Sequence, residues 1–258
     1  MEKIIEYTEL YLYNNALVSK ECLCMGVLFH DTTTGERRFN SIKNFNRLKA
    51  FNDDIDVDFV KAYLAGIKDE VETDMFYLNS DFTTSNFIKS FVGEMRFSDI
   101  VSCKTNDDDF IEKTTKLLLK QDFARHERLS RDEEIKIVKN LVKSSACNYS
   151  QKSLDGLYGD TINFNFIVGQ YCVKIFDFKN RESIKKSIAS VKTWSYNAGE
   201  MKKGGKYKTV FLYSISENIN EKEFEIVKNI LLENTEHVME LKDGVRFLIQ
   251  ESGQECAI

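Results

Sequence analysis

The sequence predicts an α+β protein with two domains. Residues 4–40 contain extended segments joined by turn residues, whereas later segments carry apolar residues at helical spacing. The length of 258 residues allows one large domain or two domains of about 130 residues each. Because 42% of the residues are hydrophobic, each domain has enough apolar material for a core. The expected domains are residues 1–125 and 130–258.

The N-terminal domain is expected to begin with an antiparallel meander. Two apolar extended segments come first, and residues 31–35 then supply turn chemistry before a short strand at 37–39. From Ser41 onward the apolar spacing is helical, with a long amphipathic helix through Leu64. A short strand at 95–97 and a helix from Phe110 complete this half.

Four acidic residues crowd the start of the long helix. Asp53, Asp54, Asp56 and Asp58 lie where the helix macrodipole stabilises negative charge. Carboxylates also bind hard metal ions, so a metal site is the alternative interpretation. We expect a solvated helix cap.

A charged segment at 121–131 separates the two halves. Ser130 followed by Glu133 is a capping box, which opens a helix through Ile135 and Val142. We place the division between the domains before this helix.

Composition narrows the classes of function. The net charge of -5 opposes a uniformly basic surface but leaves room for a local basic patch. The six cysteines show no C-x-x-C spacing, so we expect a reducing cytoplasm, with Cys22 and Cys24 as packed thiols on one strand face. No signal-peptide core or membrane-length apolar run is present, so no membrane attachment is expected. Walker loops, G-x-S-x-G motifs and dinucleotide fingerprints are also missing.

Three short motifs occur within the first 120 residues. They are G-V-L-F at 26–29, N-R-L-K-A-F at 46–51 and M-R-F-S-D at 95–99. In this order they resemble a bacterial family of small uncharacterised domains. Members carry a proline after the R-F-S motif, where this chain has Asp99-Ile100. The family has no established activity, so the resemblance implies a fold and no chemistry.

The second half follows the order helix, three strands, helix, strand. Strands are expected at 153–158, 161–168, 171–178 and 207–214, with a crossover helix at 182–196. A later helix at 221–233 and two short strands at 236–241 and 245–250 close the chain. With Asp160 and the triplet Asp177-Phe178-Lys179, this order resembles the PD-(D/E)xK restriction-endonuclease-like superfamily. The resemblance implies a mixed-sheet αβββαβ core and metal-dependent cleavage of nucleic acid.

Hairpin geometry tests the spacing of these residues independently. If Gly169-Gln170 is a two-residue turn, Ile162 faces Asp177 and Asp160 faces Lys179. Two carboxylates and a lysine then lie at the end of an apolar face. Asp160 and Asp177 would be ligands for Mg²⁺ or Mn²⁺, which activates water for attack on a phosphodiester. Lys179 would position or acidify that water, and the resembled fold offers Glu133 or Glu134 as a further acid.

The triplet alone is weak support for a nuclease. Acid-x-lysine triplets also begin at Glu134, Glu200 and Glu240. A surface salt bridge between Asp160 and Lys179, at the end of a hairpin, is the structural alternative. A degenerate site is a further alternative, because Gly159 stands where the superfamily carries proline.

A basic segment follows the triplet. Residues 179–208 contain nine basic and two acidic side chains, which favours contact with phosphate groups. The candidate nucleic-acid-binding residues are Lys185, Lys192, Trp194, Lys202, Lys203 and Lys206. Trp194, with Tyr196 and Tyr207 nearby, is a candidate for stacking on a base. The alternatives are a core tryptophan and a solvated lysine loop.

Two classes of function are therefore expected. The first is a metal-dependent nuclease, or a DNA- or RNA-binding descendant of one, in bacterial defence or a mobile element. The second is a catalytically silent inhibitor or adaptor that docks a protein partner through the N-terminal domain.

Overall fold

A computed structural model of the chain describes residues 2–14, 21–73, 82–145, 148–150, 153–178, 181–215, 221–235 and 237–255. Contacts within the chain divide it into two compact units, residues 1–137 (unit 1) and 138–258 (unit 2). Unit 1 carries an antiparallel sheet with helices, and unit 2 carries a mixed sheet with helices. The predicted α+β class is confirmed.

Unit 1 combines strands with mostly short helices. Its strands are β1 (Lys3–Tyr13), β2 (Cys22–Asp31), β3 (Arg37–Ser41), β4 (Met95–Phe97) and β5 (Val101–Thr105). Its helices are α1 (Asn46–Phe51), α2 (Val57–Glu72), α3 (Thr84–Ile88) and α4 (Phe110–Leu118), followed by a 3₁₀ turn at Lys120–Asp122. The helix α5 (Arg131–Ser145) comes next and contains the division between the units.

β1 is the central strand of the unit 1 sheet. The order is β3-β2-β1-β4, and β5 also pairs with β1. All pairs are antiparallel, with Tyr7 opposite Phe29 and Phe29 opposite Arg38. The predicted meander and the strand at 95–97 are therefore present. Both faces of β1 and β2 are buried: Phe29 lies on the face of its partner Tyr7, whereas Leu10 lies on the opposite face, and both are fully buried.

The acidic start of α2 is a helix cap. The Asp56 carboxylate accepts hydrogen bonds from the backbone N–H groups of Asp58 (2.9 Å) and Phe59 (3.1 Å). The described ranges contain no group of three or more His, Cys, Asp or Glu side chains arranged to hold a metal ion. The cap interpretation is confirmed. The capping box is also present, since the Ser130 backbone N–H donates to Glu133 at 2.8 Å.

Unit 2 alternates strands with longer helices. Its strands are β6 (Tyr149–Ser150), β7 (Leu154–Asp155), β8 (Thr161–Ile162), β9 (Phe166–Val168), β10 (Tyr171–Phe178), β11 (Lys208–Ile215) and β12 (His237–Glu240). Its helices after α5 are α6 (Arg181–Gly204), α7 (Glu221–Leu232) and α8 (Leu241–Glu255).

The unit 2 sheet has the order β12-β11-β10-β9-β6. Strands β6, β9 and β10 are antiparallel neighbours, whereas β10, β11 and β12 are parallel. Parallel neighbours need crossover connections, which α6 and α7 supply. β7 and β8 form a separate two-stranded hairpin outside this sheet.

The two faces of β10 contact different helices. Phe176 and Phe178 belong to the main apolar cluster, which includes Ile184 and Val191 of α6 and Val227 of α7. Side chains alternate along a strand, so Tyr171 lies on the opposite face. It packs against Phe247 of α8 with 5.3 Å between ring centroids, and its hydroxyl donates to Glu251 at 2.7 Å. The sheet therefore has helices on both faces.

The last predicted strand, at 245–250, is wrong, because these residues belong to α8. Leu241, Val245 and Leu248 are buried at the spacing i, i+4, i+7, which is the period of a helix. Gly244 lets α8 approach the sheet, since a Cβ there would clash with Leu212 of β11. No helix in the described ranges is long and apolar enough to cross a membrane.

Candidate nucleic-acid interface

A lysine stripe runs along the outer face of α6. Lys185, Lys192 and Lys203 are separated by seven and eleven residues, and all three are exposed. At about 100° per residue, this spacing places them within about 20° of one another around the helix axis. At about 1.5 Å per residue, the stripe is about 27 Å long.

Further exposed lysines lie in the last turn of α6, in the connection that follows it and at the start of β11. Lys202, Lys206 and Lys208 are all exposed. The Lys206 ammonium lies 5.3 Å from the ring centroid of Tyr207, and the Lys208 ammonium lies 5.6 Å from that of Tyr171. These cation–π contacts keep both ammonium groups close to the end of α6.

Residues 184–208 are all described, and Glu200 is the one acidic residue among them. Its side chain lies under the turn between β7 and β8, so Glu200 is only 3% exposed. The Leu157 backbone N–H donates to its Oε2 at 3.2 Å. The surface of this segment therefore carries seven exposed lysines and no exposed acid. The lysines are Lys185, Lys186, Lys192, Lys202, Lys203, Lys206 and Lys208.

Gly156 allows the β7–β8 turn to cover Glu200. The Gly156 N–H donates to the backbone carbonyl of Asp160 at 2.7 Å, which closes the turn. A Cβ at this position would clash with Oδ1 of Asp160 and would lie 2.8 Å from Oε2 of Glu200. Asp160 is therefore an exposed residue of the turn, beside the buried Glu200.

Two tyrosines are exposed beside the lysine stripe. Tyr158 of the turn is 72% exposed, and Tyr196, one helical turn after Lys192, is 57% exposed. Partial desolvation of its hydroxyl, the hydrogen bond to Glu200 and the neighbouring Tyr158 raise the pKa of Tyr196 to about 12. The phenol is neutral at physiological pH, and its ring is available to stack on a base.

Trp194 belongs to the core side of α6. Its ring packs edge to face against Phe164 at 5.3 Å, and the Lys174 ammonium lies 4.2 Å from the ring centroid. Burial lowers the pKa of this lysine. Trp194 also packs against the main apolar cluster of unit 2. This packing favours the core alternative for Trp194, and stacking of its ring on a base stays a prediction.

The predicted pairing of Ile162 with Asp177 is also wrong. The two-residue turn at Gly169-Gln170 is present, with Val168 opposite Tyr171. The ladder ends three pairs from the turn, and Ile162 pairs with Leu154 of β7 instead. The physical reason is Asn165, whose side-chain oxygen accepts the Ile175 N–H at 2.9 Å in place of a backbone carbonyl.

Asp160 and Asp177 lie toward opposite ends of the packed pair formed by β10 and α6. Because β10 and β11 are parallel, α6 runs back antiparallel to them, and Lys174 meets Trp194 along the way. Asp177 lies about 10 Å from Lys174 along the strand in one direction. Glu200, beside Asp160, lies about 9 Å beyond Trp194 along the helix in the other direction. The two aspartates do not fit a shared ion, whose bonds to oxygen are about 2.0 to 2.6 Å long.

The remaining members of the predicted catalytic set have separate surroundings. Asp177 is half-buried and pairs in register with Ser214 of β11. Glu133 closes the capping box, whereas Glu134 lies 2.6 Å from the Lys120 ammonium. Lys179 lies outside the described residues. Binding of Mg²⁺ or Mn²⁺ stays a prediction, but Asp160 and Asp177 do not hold one ion together.

Comparison with known proteins does not identify a relative. A scan against protein-family models matches no family, and searches of curated proteins and of solved structures find no match. The two resemblances stated from the sequence therefore stay predictions. The function of the α6 surface has to be inferred from its own geometry and charge.

Proposed function

We propose that the chain binds single-stranded nucleic acid through the outer face of α6 and the connection to β11. The observation that supports this proposal is the set of seven exposed lysines, with no exposed acid, over residues 184–208. This cluster occurs in a protein of net charge -5. Phosphate contacts dominate the affinity of proteins for nucleic acids. A local basic cluster is therefore sufficient for binding even in a protein whose net charge is negative.

The exposed tyrosines favour a single strand over a duplex. Proteins that bind single strands combine a basic track for the backbone with aromatic rings on which bases stack. Tyr196 lies within the lysine stripe, and Tyr158 contacts it from the turn. A stripe about 27 Å long has room for several nucleotides, and known single-strand sites hold about 4 to 16 nucleotides.

The strand order supports a relation to the restriction-endonuclease-like superfamily without supporting cleavage. The helix α5, the antiparallel strands β6, β9 and β10, the crossover helix α6 and the parallel strand β11 come in this order, with the β7–β8 hairpin inserted between β6 and β9. Asp160 and Asp177 do not converge, so we propose binding by a descendant of that superfamily. A setting in bacterial defence or a mobile element stays a prediction.

Binding to a single strand is expected to weaken steeply with added salt. The measurement is fluorescence anisotropy of a labelled 12-nucleotide oligothymidine and of the corresponding RNA, between 50 and 200 mM NaCl. Because each neutralised phosphate contributes about -0.7 to the slope of log K against log salt, we expect a slope of about -2 to -5. Affinity then falls about 16-fold to about 1,000-fold over this range.

Two results would contradict this proposal. One is a slope smaller in magnitude than about 0.7, which corresponds to less than one phosphate contact. The other is equal or tighter binding of a 12-base-pair duplex, because paired bases are not available to Tyr158 and Tyr196.

A further inference from the structure

A groove lies on unit 1 between α2 and the segment that leads into β4. Its volume is about 320 Å³, within the range of sites that hold small ligands or side-chain anchors. Its apolar lining comes from both sides of the groove. The main contributors are Leu12, Phe59, Val60, Tyr63, Val92 and Met95.

The groove exposes large apolar side chains. Phe59 is 65% exposed and Val92 is 84% exposed. The rings of Phe59 and Tyr63, one helical turn apart on α2, stack with centroids 6.1 Å apart and 23° between their planes. The buried side of α2 is formed by other residues, among them Val60 and Leu64. α2 therefore packs one face within unit 1 and presents a second, aromatic face to solvent, which is typical of an interaction site.

The charges at this groove are negative. The charged residues in its lining are Asp56 and Glu94, and both are exposed. Asp53 and Asp54 add exposed carboxylates close to Asp56 along the chain. The nearby Lys61 is already paired with Asp58 at 2.9 Å. Aromatic ring faces also attract cations, so carboxylates and rings favour the same kind of ligand.

We propose that this groove binds a short segment of a partner protein that carries two large apolar side chains flanked by lysine or arginine. The apolar side chains fill the groove against Phe59 and Met95, and the flanking cations meet Asp56 and Glu94. Anchoring of an amphipathic segment in an apolar groove is an established mode of peptide recognition. The groove belongs to unit 1 and the lysine stripe to unit 2, so neither proposal depends on the other.

The test is selection of a random 12-residue peptide library on the full chain, followed by anisotropy of the selected peptides. Enriched peptides are expected to share two large apolar residues with lysine or arginine close by. Phe59→Ser is expected to weaken their binding at least about tenfold, because an aromatic anchor of this kind dominates such interfaces. Asp56→Asn combined with Glu94→Gln is expected to do the same, and asparagine still caps α2.

Matched controls lie elsewhere on the chain. Ile226→Ser removes a similarly exposed apolar residue of α7, and Asp69→Asn removes an exposed acid further along α2. Both are expected to leave binding unchanged. If Phe59→Ser lowers the melting temperature, the Asp56→Asn and Glu94→Gln variant decides.

Four results would overturn the proposal. They are failure to enrich any peptide, enrichment of peptides with acidic flanks, equal binding by the groove variants and wild type, and self-association that Phe59→Ser abolishes. The last result would make a second copy of the chain the occupant of the groove.

Discussion

Replacement of Phe211 by alanine is expected to lower the free energy of unfolding of unit 2 by about 3 to 5 kcal/mol. Phe211 is fully buried on β11, which has β10 on one side and β12 on the other. Its ring packs against Phe176 with centroids 5.7 Å apart, within the main apolar cluster. Truncation would leave a cavity between the sheet and its covering helices, which close-packed neighbours cannot fill.

Urea unfolding followed by tryptophan fluorescence measures this effect. The chain contains one tryptophan, and Trp194 packs against the same apolar cluster, so its emission reports on unit 2. Ile226→Ala is the control, because Ile226 is exposed and its loss is expected to cost less than about 0.5 kcal/mol. A loss below about 1 kcal/mol for Phe211→Ala would show that the cluster is not the packed core described above.

Reversal of the lysine stripe is expected to weaken binding of single-stranded DNA about 100-fold or more at 100 mM salt. The variant combines Lys185→Glu, Lys192→Glu and Lys203→Glu. It removes three of the seven exposed lysines and adds three carboxylates, so most of the local positive charge is cancelled. All three positions are exposed, so the fold should tolerate the changes.

A control variant with the same net charge separates local from global electrostatics. Lys49→Glu, Lys104→Glu and Lys143→Glu also replace three exposed lysines, all outside the stripe. We expect this variant to lose no more than about threefold in affinity, because it leaves all seven exposed lysines of residues 184–208 in place. Equal losses in the two variants would mean that total charge, rather than the α6 surface, controls binding.

Local patterns in the sequence predicted much of the fold. The meander of unit 1 follows from alternating apolar residues and from the turn residues between β2 and β3. The capping box at Ser130 and the two-residue turn at Gly169-Gln170 also form as predicted. These features depend on residues within a few positions of one another, which is the range that sequence patterns describe.

The predicted pairing that brought Asp160 toward the end of β10 is wrong, because the hairpin register does not continue that far from its turn. The hairpin register holds near its turn, but the Asn165 side chain replaces a backbone acceptor and ends the ladder. β8 then pairs with β7, so Asp160 moves to the turn that covers Glu200. The burial of Glu200 depends on a turn more than forty residues earlier in the chain, which no local pattern shows.

The sequence alone distinguishes Tyr196 from Trp194 as the aromatic residue beside the lysines. At about 100° per residue, Trp194 lies about 200° from Lys192 around the helix, and therefore on its opposite side. Tyr196 lies about 40° from Lys192 by the same count, within the lysine stripe. The helical period therefore separates the core tryptophan from the exposed tyrosine, once the segment is assigned to a helix.

Nucleic acid bound to the outer face of α6 can be located residue by residue. The measurement is ultraviolet cross-linking of a 12-nucleotide oligonucleotide containing bromodeoxyuridine, with the adducts located by mass spectrometry. We expect adducts on Tyr196, on Tyr158 and on other residues of 184–208. Adducts confined to unit 1 or to α8 would contradict this expectation.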